Sequence, residues 1–112
     1  GWQFLRQVID TIPEPIFVKN ARHEWVLMNE AFARVLLMPR DELLGKRDRD
    51  LLPESIADDR EREDLEVLHR DRFISTEQYL PNADGSDRWM LKRKRRLTFP
   101  DGSLGIAGIL VD

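Results

Sequence analysis

The chain has no cysteine. That removes thiolate catalysis, zinc–thiolate sites and a flavin–cysteinyl adduct from consideration, and fits a reducing compartment. Only two histidines are present, His23 and His69. Neither belongs to a Ser-His-Asp pattern or a metal-ligand spacing, so no nucleophile–base pair is visible. No apolar run approaches the ~20 residues of a membrane span, no signal peptide stands at the front, and direct membrane insertion is not expected. An excess of positive charge is also missing. The formal net charge is −3, which argues against general nucleic-acid affinity.

What remains is a chain of 112 residues. One domain of that length buries about 65% of its unfolded surface and needs no disulfide or metal. The pattern opens inside a helix and stops just after a strand, as a segment of something longer would.

The most informative stretch runs from Asp84 to Asp112. Two strands are joined by the turn Phe99-Pro100-Asp101-Gly102, and a second Asp-Gly turn, Asp84-Gly85, lies at the front. Asp-Gly between alternating apolar residues signals antiparallel strands. The last strand, Leu104 to Val111, is apolar on both faces, as a central strand would be. The strand before it carries five consecutive bases, Lys92 to Arg96. Side chains alternate across a strand, so no register points all five at water if one face is covered. Two or more must then face the cover and need anionic partners, from protein carboxylates or a ligand. The alternative is a short strand whose long bases all reach solvent.

The rest of the chain reads in order. Residues 1–12 form a flanking amphipathic helix with Trp2, Leu5, Val8, Ile9 and Ile12 on one side, ended by Pro13 and Pro15. Residues 13–112 form the domain proper. Pro15 to Asn20 and Trp25 to Met28 read as strands, and Asn29 fits the N-cap of a helix through Leu37. Asp41 to Gly45 is one helical turn closed by glycine. A charged connector, Lys46 to Pro53, precedes a long helix from about Glu54 to Arg70. That helix has only Ile56, Ala57, Leu65 and Leu68 to bury, so it reads as a lid over a sheet. Paired acids such as Asp58-Asp59 read as its solvated face. Phe73 to Leu80 is a third strand. The order predicts an α+β domain: a five-stranded antiparallel sheet with short helices gathered on one face.

These residues resemble a PAS domain, the sensory module of signalling proteins, over essentially the whole chain. The matching pieces are Ile12-Pro-Glu-Pro-Ile-Phe-Val-Lys-Asn20, Asn29 with Ala31 and Phe32, and Glu42-Leu-Leu-Gly45. Asp64, Val67-Leu68, Asp84-Gly85 with Trp89, Asp101-Gly102 and Gly108 to Asp112 continue the match. The similarity is nearest to a bacterial variety with Val-Lys-Asp on the first strand, Asp-x-Asp-Leu-x-Pro after the Gly turn and a lysine on the penultimate strand; here those are Val18-Lys19-Asn20, Asp48-Arg-Asp-Leu-Leu-Pro53 and Lys94. His23 stands where that variety has glycine and Asn20 where it has aspartate; a turn tolerates both.

The resemblance implies a pocket between sheet and helices. Met90, Lys92 and Lys94 would face it from the fourth strand, and Ile106, Gly108 and Leu110 from the fifth. Phe17, Met28, Phe32 and Leu36 would complete the lining, with Gly108 leaving space under the helices. Lys94 and Lys19 would anchor a polar centre, with carboxylates from Asp48, Asp64 or Glu77. That centre either satisfies itself and sets the lid geometry, or holds a small anionic metabolite such as a carboxylate. No cofactor is expected. The flavin adduct lacks its cysteine, and haem lacks a well-placed histidine, since His69 ends its helix among charged neighbours.

Trp89, Leu91 and Leu97 would lie on the outer face of the sheet and need cover. The N-terminal helix, through Trp2, Leu5 and Ile9, would supply it within the chain or as a homodimer. By resemblance the domain is cytoplasmic and non-enzymatic. It would pass shifts to a C-terminal output domain such as a histidine kinase or a diguanylate cyclase. The alternative is a ligand-free dimerisation scaffold.

Overall fold

The computed structural model describes residues 2–80 and 87–112, so the Asp84-Gly85 turn lies outside the described residues. The elements follow as α1 (Trp2–Asp10), β1 (Ile16–Asn20), β2 (Trp25–Met28), α2 (Glu30–Leu36) and α3 (Arg40–Leu43). After them come α4 (Asp48–Leu51), α5 (Glu54–Arg70), β3 (Ile74–Leu80), β4 (Arg88–Thr98) and β5 (Leu104–Val111). The five strands form one antiparallel sheet in the order β2-β1-β5-β4-β3.

Chain order and sheet order differ because β1 and β5 pair in the middle. The long helical excursion between β2 and β3 crosses one face of the sheet to make this pairing. The turn after β4 closes as a tight loop, with Gly102 N–H bonded to Phe99 O and Phe99 N–H to Ser103 O. Gly102 takes a φ of 88°, which a side chain would strain.

Asn29 begins α2 as an N-cap, its Oδ1 accepting from Phe32 N–H at 3.1 Å and from Ile16 N–H at 2.9 Å. Its Nδ2 donates to the carbonyls of Ile9, Ile12 and Glu14. One fully buried amide therefore joins α1, β1 and α2.

Two expectations about the helices change. The stretch Lys46 to Pro53 contains a helical turn, α4, where its charges suggested only a connector. On α5 the buried residues are Ala57, Asp64, Val67 and Leu68, while Ile56 and Leu65 are exposed. The helix turns a carboxylate toward the sheet and leaves two branched apolar side chains outside. The interior separates accordingly. Phe17, Trp25, Met28, Phe32, Leu43, Met90 and Leu110 form one apolar cluster. Val67, Leu68 and Ile106 form another under the end of α5.

Candidate functional site

Strand pairing determines which side chains meet. β4 aligns Lys94 with Gly108 and Lys92 with Leu110, while β1 aligns Lys19 with Ile106 and Phe17 with Gly108. Alternation along each strand therefore sends Met90, Lys92 and Lys94 to the helical side, together with Phe17 and Lys19. All five are buried there, whereas Arg93 and Arg95 are exposed on the other face.

The lysines end in a cluster of carboxylates carried by α4 and α5. Lys19 Nζ lies 2.5 Å from Asp48 Oδ2 and 3.0 Å from Asp64 Oδ2. Lys94 Nζ lies 2.6 Å from Asp64 Oδ1 and 2.8 Å from Glu63 Oε1, and Lys92 Nζ is also 2.8 Å from that oxygen. His23 Nδ1 approaches Asp64 Oδ2 at 3.3 Å, and Arg60 Nη1 stands 3.8 Å from Asp48 Oδ1. The aromatic rings below add to this. Lys19 Nζ sits 5.5 Å from the Phe17 ring centre and 5.7 Å from that of Trp25.

Protonation follows from this arrangement. Burial alone would raise the Asp64 carboxyl, but His23, Lys19 and Lys94 together hold it well below the ordinary carboxylate range. Burial works against the Lys19 charge, yet Asp64 and Asp48 outweigh it and raise its pKa. Lys92 goes the other way. Burial and the neighbouring Lys94 charge push it down to about 8, with Arg60 adding to the effect and Glu63 only partly opposing it. Asp64, Glu63 and Lys19 thus favour their charged forms at neutral pH, and Lys92 is the least comfortable cation beside them.

Beside the network is a cavity of about 270 Å³. Of the lining residues expected from the sequence, Phe17, Phe32, Leu36, Lys92 and Leu110 border it, with Lys19, Lys94 and Asp48 of the polar centre. Trp25, Val35, Leu52, Arg60, Gln78 and Tyr79 complete the wall. Leu37 is 78% exposed on its rim and takes a φ of 57°, a region that costs a leucine energy.

Four other expected lining residues lie elsewhere. Met28 and Met90 are packed in the first core cluster and Ile106 in the second. Gly108 does not leave open space. A Cβ there would meet the Phe17 ring at 2.2 Å, so the ring already occupies that volume.

Glu77 is a correction. It pairs with Leu91, faces away from the helices and is exposed. The register explains this: Ile74 aligns with Lys94, Thr76 with Lys92 and Gln78 with Met90, so those positions of β3 point inward and Glu77 points out. The third carboxylate is Glu63, which the sequence reading missed. It lies next to Asp64 and one turn from Arg60, on the flank of the stripe made by Ala57, Asp64, Val67 and Leu68. Charge at that spacing beside a buried stripe is the signal that could have found it.

On the outer face, the cover expected from α1 reaches only part of the sheet within one chain. α1 covers the end of the sheet around Val18, Leu27 and Leu97, where Trp2 and Leu5 border a shared groove. Trp2 packs against Phe99 at 6.0 Å between ring centres, and Ile9 is half-buried. Trp89 stays 63% exposed with its ring against Tyr79, and Leu91 is half-buried. These two lie eight and six residues from Leu97 along β4, and at ~3.3 Å per residue Trp89 is roughly 26 Å away.

Comparison with known proteins agrees with this geometry. The family model for the PAS fold matches residues 9–112, and the chain belongs to that family. The uncharacterized protein y4lL of Sinorhizobium fredii is 30% identical over 96 residues, which is 86% of this chain and 12% of y4lL. The methanogenesis regulatory histidine kinase FilI of Methanothrix harundinacea is 29% identical over 69 residues, 62% of this chain and 8% of that kinase. The chain thus spans a small fraction of either relative. The PAS domain of Bordetella pertussis BvgS has the same fold, with a TM-score of 0.77 at 23% identity, covering 98% of this chain and 84% of that one. PAS domains are in general sensory modules of signalling proteins and not catalysts. Among the described residues no helix is long and apolar enough to cross a membrane.

Proposed function

We propose that this domain is the sensory module of a larger cytoplasmic signalling protein, passing shifts of its helical roof to a C-terminal output domain. The observation that carries the reading is the ionic network. It bolts α4 and α5 to β1 and β4 at the wall of a cavity, through Lys19, Lys94, Asp48 and Asp64. A change in what fills the cavity therefore acts on the contacts that hold the roof. A small anionic ligand fits this site better than a redox or haem cofactor, for want of a suitable ligating side chain.

A scaffold without a ligand is the second reading, favoured by the internal pairing of those same four residues. The two separate when the domain is fused ahead of a histidine-kinase catalytic core. Lys94→Met should shift kinase output if the network transmits a signal. Unchanged output in a folded variant would favour the scaffold. Native mass spectrometry of the purified chain adds a direct check, since a co-purified small mass supports the sensor.

The domain also pairs as a homodimer in this reading. Trp2, Phe4, Leu5 and Val8 of α1 are 43–67% exposed, more apolar surface than a nine-residue helix leaves in water without cost. Trp2→Glu/Leu5→Glu should convert a sedimenting dimer to monomer; an unchanged dimer counts against α1 and points to the Trp89–Leu91 patch.

A further inference from the structure

We propose that the cavity takes a small monocarboxylate with an apolar body, its carboxylate held by Lys92 and Arg60 and by the indole N–H of Trp25. The inference rests on the sensory reading above and specifies the chemistry of the ligand.

Charge balance comes first. Four basic side chains, Lys19, Lys92, Lys94 and Arg60, meet three carboxylates, Asp48, Glu63 and Asp64. Asp64 and Asp48 are engaged by Lys19 and Lys94. That leaves Glu63 to serve Lys92 while the same oxygen also serves Lys94. Arg60 has only the 3.8 Å approach to Asp48. One positive charge is left over, and the two cations with the weakest pairing, Lys92 and Arg60, both line the cavity. Lys92 is 6% exposed, so water screens that excess poorly. Burial lowers the basicity of Lys92 most, and the neighbouring Lys94 charge lowers it further.

A hydrogen-bond donor is also left over. Trp25 borders the same cavity and is 1% exposed, and its Nε1–H has no acceptor among the described residues. A buried indole N–H ordinarily finds one. A carboxylate offers acceptor oxygens to both this donor and the cations.

Phe32, Val35, Leu36 and Leu110 supply apolar surface to the remaining wall, beside Gln78, the paired Lys19 and Asp48, and Lys94. A volume of about 270 Å³ corresponds to roughly nine waters at about 30 Å³ each. An occupant of about ten non-hydrogen atoms matches it. A phosphate ester would bring nearly two charges to one excess cation, and an amino acid would set its own ammonium beside Lys92. A simple carboxylic acid meets neither objection.

The test is calorimetric titration of the 112-residue chain at pH 7 with phenylacetate and hexanoate, each against its neutral amide. At least one acid should bind about tenfold or more tightly than its amide, the margin expected of a charged hydrogen bond. Its addition should move the Trp25 indole resonance, assigned with Trp25→Phe. Lys92→Met and Arg60→Gln should each weaken acid binding about tenfold. Arg60 is partly exposed, so its variant reads the charge contribution without altering the core. Equal affinity for acid and amide, binding indifferent to both substitutions, or no binding of either acid would overturn the inference. If Lys94→Met still alters output in the kinase fusion while no acid binds, the sensory reading stands and only the ligand class falls.

Discussion

Replacing Asp64 by asparagine probes the network at its centre. The side chain is fully buried, and both its oxygens are used: Oδ1 by Lys94, Oδ2 by Lys19 and His23. Asparagine keeps the shape and removes the charge, so two buried ammonium groups lose their shared counter-ion. Neither is left wholly unpaired, because Lys19 retains Asp48 and Lys94 retains Glu63. The loss should therefore fall near the lower end of the range for breaking a buried ion pair, about 3 kcal/mol. With an unfolding entropy of about 2.1 cal/mol/K per residue, that lowers the melting midpoint by roughly 13 °C in a domain of this size.

The pH dependence gives the same prediction a sharper form. Asp64 ionises at lower pH in the folded protein than in the unfolded chain. Its stabilisation is thus complete above about pH 4 and fades as pH falls further toward the folded value. Urea unfolding followed by tryptophan fluorescence, run on both proteins from pH 7 to pH 3, measures the difference. The gap should be about 3 kcal/mol at pH 7 and should narrow below pH 4. A gap below about 1 kcal/mol, the scale of a surface pair, or one that stays constant down to pH 3 would refute the ionic account.

Three further outcomes follow from the same structure. Asn29→Ala removes bonds to Ile9, Ile12, Glu14, Ile16 and Phe32. It should cost about 3 kcal/mol, above an ordinary cap because buried partners are orphaned, with α1 amides losing hydrogen-exchange protection first. Gly108→Ala drives a Cβ into the Phe17 ring; the expected loss is about 2 kcal/mol, and Phe17→Leu should recover part of it in the double variant. Lys92 has a folded pKa of about 8 against 10.5 unfolded, so the unfolded chain holds more protons between those values and stability rises with pH there. Lys92→Met should therefore be more stable than the wild type at pH 7, with the advantage shrinking from pH 8 to 10.5 in parallel melts.

The sheet was legible because its signals are local. The turn at Pro100–Gly102 and the cap at Asn29 are each set by a few neighbouring residues. The inward direction of Lys92 and Lys94 was half legible. Alternation required some of the five bases to face the helices, and the family resemblance supplied the parity that places Lys94 inward. Register between strands is a long-range property, and there the reading failed. Glu77 is one residue from inward-facing Thr76 and Gln78, and a one-residue difference reverses the face. Glu63 escaped for a related reason, since which flank of a charged helix meets the sheet depends on the placement of its neighbours. Trp25 read only as an apolar strand residue; nothing local shows that its N–H goes without an acceptor.

The composition of the network argues for a role beyond holding the fold together. Buried ion pairs replaced by well-packed apolar side chains of similar volume often leave a protein as stable or more so. Lys94 and Lys19 are closely paired and could be defended as structural. Lys92 could not: it shares one carboxylate oxygen with a second ammonium, and burial beside like charge lowers its own basicity. A methionine there would fill the space without that cost. Under the proposal made above, an anion entering the cavity would offset the charge held at its wall. On that account the Lys92→Met protein should gain thermal stability and lose acid binding together, and a variant that gained the first without losing the second would separate the two.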